Sequence, residues 1–380
     1  MLGLYLVVAA LMLGYGSVFA LLAEIRAQFG FPDWAIGSIG GAGFAAGFLA
    51  QLFLSRLADR GHLRALLGTG IAVALLGMVG MIAAESIGSF IASRALLGLG
   101  AGCVTPAVRR IAVTRDPERA GEALGFLGVF EISGFLIGPV LASALDGLWG
   151  LRAPFIALAV LLLAVAPLAL SAPLPDAPVA RERRVLRGLI ARRPVQSSLL
   201  AGFAFYLTIG VFEATWAILL ADRGASQLFI GATMSLFSAP MLLVPPFAGR
   251  IAQRIGPIRV MAASIGTAIV CMAAYGVFSE LVLLAVAVAV HSIADAFTMP
   301  ASQLAIARSS PPEQIASGQG LFGAVGLATA AATAVLSGWI YGEWGPGVLY
   351  LGTAALMTAL LAGAWVLGDA LRTGSPPAQA

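Results

Sequence analysis

A short charged phrase occurs twice in this chain, each time at the end of a long apolar stretch. The segment Ser55–His62 is SRLADRGH, and a diverged copy, GRIAQRIG, occupies Gly249–Gly256. The two copies are 194 residues apart in a chain of 380 residues, which is close to half its length. This spacing predicts that the chain is a tandem duplication with equivalent charged turns in its two halves.

The composition predicts that both halves lie in a membrane. Apolar residues make up 60% of the chain and charged residues only 11%, with a mean hydropathy of +0.96, whereas charged residues are roughly a quarter of a soluble protein. Twelve apolar stretches, six in each half, are long enough to cross roughly 30 Å of hydrocarbon as helices. We expect kinks near Pro139, Pro246 and Pro300. The stretches lie near residues 1–23, 35–54, 65–84, 87–108, 123–145, 153–172, 196–220, 227–248, 258–279, 281–304, 315–340 and 346–368.

The stretches group into two predicted six-helix bundles. The first covers residues 1–172, a cytoplasmic linker covers 173–195, and the second covers 196–380. A duplicated membrane chain of this kind is typical of secondary transporters, whose substrate site lies between the repeats.

Arginine sets the expected orientation, since the chain contains no lysine. Eighteen arginines lie in alternate loops that include the linker, and only Arg26, Arg152 and Arg223 lie in the others. The positive-inside rule then places both termini in the cytoplasm. Lysine and asparagine are both missing, and since their codons begin with two adenines, this favours a bacterium with a GC-rich genome. We therefore expect a multi-pass protein of the bacterial cytoplasmic (inner) membrane, whose basic residues face anionic lipid rather than nucleic acid.

The first charged phrase resembles the loop signature of the major facilitator superfamily, Gly-x-Leu-Ala-Asp-Arg-x-Gly-Arg-Arg. The matching residues are Leu57, Ala58, Asp59, Arg60 and Arg64. Charged side chains at a helix end can pair with neighbouring helix termini and hold the cytoplasmic side shut. The candidate cytoplasmic gate is therefore Asp59, Arg60, Arg64 and Arg254, with a weaker second copy because Gln253 replaces the acid. The alternative is a tight polar turn whose charges only set the topology.

Arg94 begins a pattern that resembles a second signature of the same superfamily, Arg-x-x-Leu-Gly-x-Gly-Ala-Gly. An arginine inside a bilayer costs about 2.5 kcal/mol or more, so we expect Arg94 to face the bundle interior and hold an ion-pair partner. Gly98 and Gly102 would let a neighbouring helix approach closely, which is equally compatible with packing alone.

The fifth stretch resembles the antiporter signature found in drug:proton antiporters of this superfamily. The matching residues are Gly125, Gly134, Gly138 and Pro139, followed by Ala142 and Ser143 where two glycines are usual. Gly134 and Gly138 form a small-residue face, and Pro139 is expected to bend the outer half of the helix. The resemblance implies export, and the alternative is a generic kinked packing helix.

Four ionisable side chains within the stretches are candidates for proton coupling: Glu131, Glu213, His291 and Asp295. Ionisable residues inside a membrane commonly mark proton or ion pathways. For Glu131 the alternative is a structural ion pair with Arg94, and for Glu213 it is contact with interfacial water. His291 and Asp295 are four residues apart, so they share one face of a helix.

Aromatic side chains fall on stretches that are expected to surround a central cavity. We predict that six of them line the substrate site, although aromatic residues at helical spacing also serve as core. Three embedded acids against one embedded arginine favour cationic or neutral lipophilic ligands over anions. The six residues are Tyr15, Phe19, Phe130, Tyr206, Phe212 and Trp216.

The resemblance covers the whole chain and implies an all-α membrane protein with the major facilitator fold, twelve transmembrane helices in two pseudo-symmetric six-helix bundles. It also implies proton-coupled transport, with export of small lipophilic or cationic compounds by rocking-bundle alternating access. One alternative is an uptake symporter or facilitator for a small metabolite. Another is a transport-inactive membrane sensor or assembly partner with the same fold.

Enzyme activity is not expected from this sequence. It has no nucleophile triad and no cluster with metal-ligand spacing, and a phosphate-binding loop would require lysine. We therefore expect no cofactor and no metal, and partners limited to a small-molecule substrate, protons and the lipid bilayer. We expect the protein to function as a monomer.

Overall fold

The structure is a computed structural model that describes residues 1–53, 62–115, 120–173, 186–311 and 315–372. These residues form helices joined by short turns, and no strand occurs among them. In chain order the helices are α1 (Leu2–Phe29), α2 (Asp33–Phe53), α3 (Leu63–Ala83), α4 (Ile87–Arg115), α5 (Ala120–Trp149), α6 (Arg152–Leu170), α7 (Leu186–Ile190), α8 (Arg193–Asp222), α9 (Gln227–Ser238), α10 (Pro240–Leu243), α11 (Pro245–Ile255), α12 (Pro257–Val277), α13 (Leu281–Ser309), α14 (Ile315–Leu367) and a final 3-10 turn (Asp369–Leu371).

The described helices match the predicted membrane spans. Nine are long and apolar enough to cross a membrane, or ten if α9–α10 and α11 count as one bent span. That pair bends by 57° where Pro245 and Pro246 begin α11, which confirms the kink expected there. As one helix, α14 would be about 80 Å long, more than twice the hydrocarbon thickness, but non-helical backbone at Gly345 (φ 78°) divides it before Pro346. Including α2, helices therefore occupy all twelve predicted positions.

The prediction that Arg109 and Arg110 lie in a loop was wrong. Helix α4 continues to Arg115, seven residues beyond the predicted end at residue 108. No glycine or proline interrupts residues 109–115, and a helix can project about 10 Å beyond the hydrocarbon into the headgroup layer, where guanidinium groups stay solvated. The extension brings Arg109 within reach of the side chains on α5.

The chain divides into two compact units. Unit 1 contains Met1–Arg181, Glu213–Ser235 and Ala334–Trp339, and unit 2 contains Glu182–Phe212, Leu236–Thr333 and Ile340–Ala380. Helix α8 thus belongs to unit 2 up to Phe212 and to unit 1 from Glu213. Unit 1 contains helices from the first half of the chain together with segments from the second half.

In unit 1, α4 packs against α2 and α3, while α1 packs against α5 and α6. The backbones of α2 and α4 touch at two glycines. A Cβ atom on Gly98 would overlap the Gly43 carbonyl, and one on Gly102 would lie 2.6 Å from the Cβ of Ala50. Small residues permit this approach because lipid provides no hydrophobic drive between helices, and close van der Waals contact takes its place.

The α1–α5 contact also depends on glycine. A Cβ atom on Gly134 would overlap the Ala9 carbonyl, and one on Gly138 would lie 2.5 Å from the carbonyl oxygen of Leu13. The Gly138 carbonyl accepts a hydrogen bond from Ser17 Oγ (3.1 Å). Helix α5 continues through Pro139, so the packing residues of the antiporter-like pattern lie on one face of an unbroken helix.

In unit 2, α13 is the helix against which both α11 and α12 pack. Most of the α13 residues that face these neighbours are small or apolar, but His291, Ser292, Asp295 and Thr298 are also buried there. A separate apolar cluster joins Leu189, Val195, Ile306 and Phe322. Unit 2 therefore combines an apolar core with an unusual number of buried polar groups on one helix.

We expect Gly138→Ala to destabilise the protein and Gly128→Ala to leave it as stable or slightly more stable. Both residues lie on α5 and gain the same helix propensity, but a Cβ on Gly128 meets no atom within 4 Å. Overpacking against the Leu13 backbone should lower the free energy of unfolding by about 1–3 kcal/mol. Thermal unfolding of the two purified variants measures the difference, and equal midpoints would show that α1 and α5 are not in backbone contact.

Candidate functional site

The side chain of Arg94 is completely buried in unit 1 and is held by aromatic rings. Its guanidinium carbon lies 3.9 Å from the ring centre of Tyr15 and 4.4 Å from that of Phe19. One Nη donates to the Tyr15 carbonyl at 3.1 Å. A Cβ atom on Gly43 would lie 2.7 Å from Arg94 Nε, so only glycine leaves room for the side chain. Cation–π contacts of this kind replace part of the hydration that the guanidinium loses.

Glu213 supplies a carboxylate to the same interior. It lies on α8, in the part of that helix that belongs to unit 1, and it is only 8% exposed. The charges of Arg94 and Glu213 interact electrostatically. Arg94 Nε and Nη2 and Glu213 Oε2 have no hydrogen-bond partner among the described residues. Buried polar atoms without partners are uncommon in folded proteins.

Aromatic side chains surround this pair of charges. Tyr15, Phe19 and Phe44 form a mutual cluster with ring centres 5.7–5.8 Å apart. Trp216 is fully buried one turn after Glu213, and its Nε1 donates to Thr233 Oγ1 at 3.0 Å, which joins α8 to α9. Three of the six predicted aromatic residues therefore lie in unit 1 near Arg94 or Glu213.

Sequence reasoning missed Phe44. It is the only aromatic residue in the glycine- and alanine-rich run from Gly37 to Gly47. A single large ring among small residues was the available signal, because the surrounding glycines let the neighbouring helices close around it.

Glu131 has a different partner from the one considered in the sequence. Its carboxylate oxygens lie 3.0 and 3.1 Å from Nη2 of Arg109. Arg109 lies about 22 Å further along α4 than Arg94 by helical rise, so Glu131 is not the partner of Arg94. The Arg109 side chain is 55% exposed, and the pair is a surface ion pair. Phe130 stacks on Tyr5 beside it, with ring centres 5.5 Å apart.

Unit 2 contains a second buried polar cluster, around His291. His291 Nε2 lies 3.6 Å from Asp295 Oδ2, and His291 Nδ1 lies 3.0 Å from the hydroxyl oxygen of Tyr275. All three side chains are 0–1% exposed. The imidazole therefore hydrogen-bonds a phenol on α12 through Nδ1 and lies near a carboxylate on its own helix, although His291 Nε2 and Asp295 Oδ2 have no hydrogen-bond partner among the described residues.

Phe212 and Tyr206 both lie in unit 2. Phe212 stacks on Phe237, with ring centres 4.3 Å apart. The rings of Phe237 and His291 are nearly perpendicular, with centres 5.4 Å apart. Tyr206 instead contacts Phe322, with ring centres 5.8 Å apart. Tyr275 was not among the predicted residues, although a tyrosine in an otherwise apolar stretch was a possible signal.

Of the four candidate gate residues, Asp59 and Arg60 lie outside the described residues. Arg64 is exposed in the first turn of α3, and Arg254 is exposed in the last turn of α11. Gly125 lies within α5.

At the end of unit 1 where α1 meets α2, the structure contains an ion-pair network that the sequence did not suggest. Arg26 pairs with Asp33 at 2.9 Å and also with Asp222 at the end of α8. Gln227 Nε2 at the start of α9 donates to the Ala20 carbonyl at 2.8 Å. The contacts between Arg26 and Asp222 and between Ala20 and Gln227 join residues 196 and 207 positions apart in sequence, which is why no local pattern revealed them.

The sequence profile of the Major Facilitator Superfamily matches residues 4–212 and again residues 198–380. The chain belongs to the major facilitator superfamily. The double match covers both predicted repeats, and it confirms the resemblance that the charged loop and the two glycine patterns indicated.

Several similar proteins are named multidrug resistance protein MdtG. The chain is 31% identical over 230 residues to the multidrug resistance protein MdtG of Dickeya zeae (strain Ech586), and 29% identical over 228 residues to that of Serratia proteamaculans (strain 568). These matches cover 57% and 56% of this chain. The chain spans about half the length of these relatives, 55% and 54% respectively.

Solved structures of the superfamily share the fold. A bacterial homologue of the human lysosomal transporter Spinster, in an inward-facing and occupied conformation, superposes with a TM-score of 0.80 at 15% identity, covering 96% of this chain and 95% of its own. The nucleoside transporter NupG superposes with a TM-score of 0.77 at 15% identity, covering 97% and 98%. The protein is therefore a multi-pass membrane protein with the major facilitator fold.

We expect Arg94→Lys to destabilise the protein much more than Arg152→Lys. Lysine cannot lie flat on Tyr15 and Phe19 while donating to the Tyr15 carbonyl, so the loss should be about 1–3 kcal/mol in the free energy of unfolding. Arg152 forms only an exposed pair with Glu85 at 3.2 Å, and its replacement should change that free energy by less than about 0.5 kcal/mol. Unfolding curves of both variants in one detergent provide the measurement. An unchanged free energy of unfolding in Arg94→Lys would contradict the packing of Arg94 on the two rings.

Proposed function

We propose that this chain is a proton-coupled exporter of small lipophilic or cationic compounds, acting as a monomer in a bacterial cytoplasmic membrane with both termini in the cytoplasm. The observation that carries the proposal is the buried Glu213 carboxylate, which interacts electrostatically with the ring-packed Arg94 in unit 1. The name of the relatives, multidrug resistance protein, supports a lipophilic range of substrates.

The site combines groups from both halves of the chain, as substrate binding between repeats requires. Arg94 and its rings come from the first half, and Glu213 comes from the second. Glu213 attracts a cation when ionised and donates a hydrogen bond when protonated. A substrate and a proton would then compete for one carboxylate, so that binding of either disfavours the other. This competition is the physical basis of antiport.

Charge alone does not select cations in this proposal. Two of the three acids have an arginine neighbour: Glu131 has Arg109, and Glu213 has Arg94. The excess of acids inferred from the sequence is therefore smaller than expected, because Arg109 belongs to a helix. The aromatic lining around Arg94 favours flat or lipophilic compounds, and Glu213 adds affinity for those that carry a positive charge.

The Tyr275–His291–Asp295 cluster is a second candidate for proton coupling. Its three side chains are out of contact with solvent. A proton gained by Asp295 would change its interaction with His291, and the imidazole would transmit the change to Tyr275 on α12 through its other nitrogen. We therefore propose that the cluster couples protonation to a shift of α13 against α12.

Alternating access in this proposal requires the Arg26 end of unit 1 to open. First-half and second-half helices touch there through glycines: a Cβ atom on Gly338 would lie 2.5 Å from the Asp33 carbonyl oxygen, and one on Gly231 would lie 2.7 Å from the Pro139 carbonyl oxygen. The Arg26–Asp222 pair holds the same end. We propose that rocking of residues 1–172 against residues 196–380 breaks these contacts together.

Transport by purified protein in liposomes tests the function. With an internal pH dye and an imposed pH gradient, addition of a lipophilic cation should move protons in the opposite direction to the substrate. Glu213→Gln should reduce this coupled flux at least tenfold, because the carboxylate can no longer exchange a proton. Glu85→Gln is the matched control, since Glu85 is 74% exposed in a surface pair, and it should transport normally.

Two results would contradict the proposal. Proton movement in the same direction as the substrate would make the protein an uptake symporter, in place of an exporter. Unchanged proton coupling in Glu213→Gln would remove that residue from the coupling site, and the same measurement on Asp295→Asn would then decide whether the cluster in unit 2 carries the proton.

We expect a bulky residue at position 338 to hold the Arg26 end open. Gly338→Leu would wedge α14 away from α2, whereas Gly352→Leu is the matched control because a Cβ there meets no atom within 4 Å. Spin labels on cysteines placed at Gln28 and Ser226, both exposed at this end, should report a longer distance in Gly338→Leu only. An unchanged distance would exclude opening at this end by the wedge.

A further inference from the structure

An apolar groove opens on the surface of unit 2, between α11, α12 and α13. Its volume is about 360 Å³, within the range of about 300–1,000 Å³ that is usual for small-molecule sites. The walls are made largely of Ile251, Ile255, Ala263, Val290, Ile293 and Phe297. Ile255, Val290 and Ile293 are 43–48% exposed, and on spans of a membrane protein such side chains face hydrocarbon.

The hydroxyl groups that line the groove already have hydrogen-bond partners inside the protein. Ser264, at its floor, accepts a hydrogen bond from Thr298 Oγ1 (2.7 Å), and Thr267 donates to the Ala263 carbonyl (3.0 Å). With these hydroxyls satisfied inside the protein, the lining favours a hydrocarbon chain over a polar solute.

One end of the groove is strongly basic. Arg259, the third residue of α12, lines the groove and is exposed, and Arg250 and Arg254 are exposed on the adjacent helix α11. In the described part of the chain no acidic side chain forms an ion pair with any of these three arginines. The groove therefore ends at Arg259, and Arg250 and Arg254 add positive charge on the neighbouring helix that no described acidic side chain neutralises.

The length of the groove matches one leaflet. Arg259 and Thr267 lie eight residues apart on α12, which is about 12 Å of helical rise. Half of the hydrocarbon core is about 15 Å. The groove thus runs from the headgroup level, where Arg259 lies, to near the middle of the membrane.

We propose that this groove binds one acyl chain of an anionic phospholipid, whose phosphate pairs with Arg259. The apolar walls accept the chain, and the basic end selects an anionic headgroup over a zwitterionic one. Each arginine near an anionic membrane surface contributes roughly a fivefold gain in affinity. The site lies on the lipid-facing surface and does not depend on the proposed transport function.

Native mass spectrometry and thermal unfolding of delipidated protein test the site, with phosphatidylglycerol and phosphatidylcholine as the probes. We expect phosphatidylglycerol to remain bound and to raise the unfolding midpoint, and phosphatidylcholine to do so much less. Arg259→Gln should weaken phosphatidylglycerol binding at least fivefold, and Ala263→Phe should abolish it by filling the groove. Arg193→Gln, which removes an exposed arginine at the start of α8, should bind like the unaltered protein.

Equal binding of phosphatidylglycerol by Arg259→Gln and the unaltered protein would overturn the proposal. So would equal binding of the two lipids, which would indicate a nonspecific annulus, or displacement of the lipid from the unaltered protein by a lipophilic cation, which would assign the groove to substrate. If Ala263→Phe does not fold, Arg259→Gln alone decides, because an exposed arginine can be replaced without disturbing the core.

Discussion

Hydrocarbon offers no hydrogen bonds to a peptide backbone, and the rest of this structure follows from that constraint. Every span must satisfy its own backbone groups, so the described chain is helical. Lipid also provides little drive for helices to associate, because the surrounding tails are as apolar as leucine. Contact between helices therefore depends on how closely their backbones can approach. The glycines at Gly43 and Gly98, and at Gly134 and Gly138, allow that approach in unit 1.

The same constraint governs where charges are found. A guanidinium in the membrane interior loses its hydration, and in unit 1 Arg94 recovers part of it from two aromatic rings and a backbone carbonyl. Glu131 and Arg109 keep part of their hydration, because α4 extends far enough for their ion pair to reach the surface. Glu213, His291 and Asp295 stay buried in the interior, and in the proposed exporter they are the groups whose protonation would move the helices.

The two buried clusters differ in the groups that surround their polar atoms. The Arg94 and Glu213 cluster has polar atoms without partners and several rings around them, so it can accept a ligand. The Tyr275, His291 and Asp295 cluster contains one hydrogen bond, between Tyr275 and His291, while His291 Nε2 and Asp295 Oδ2 have no hydrogen-bond partner among the described residues. In the proposed exporter, substrate and proton would compete at Glu213 in the first cluster, and the second cluster is a further candidate for binding the proton.

The sequence by itself determined that this is a membrane protein, where its twelve spans lie and which family it resembles. Hydrophobic length, arginine bias and local glycine spacing are local quantities, and the membrane imposes them on each span independently. It also placed Arg94, Glu213, His291 and Asp295 inside the membrane. Tertiary structure decided their partners: Glu131 pairs with Arg109 rather than Arg94, Phe44 joins Tyr15 and Phe19, Tyr275 meets His291, and Arg26 meets Asp222. These pairings depend on how helices distant in sequence are rotated and extended against one another, and no pattern along a single helix carries that information.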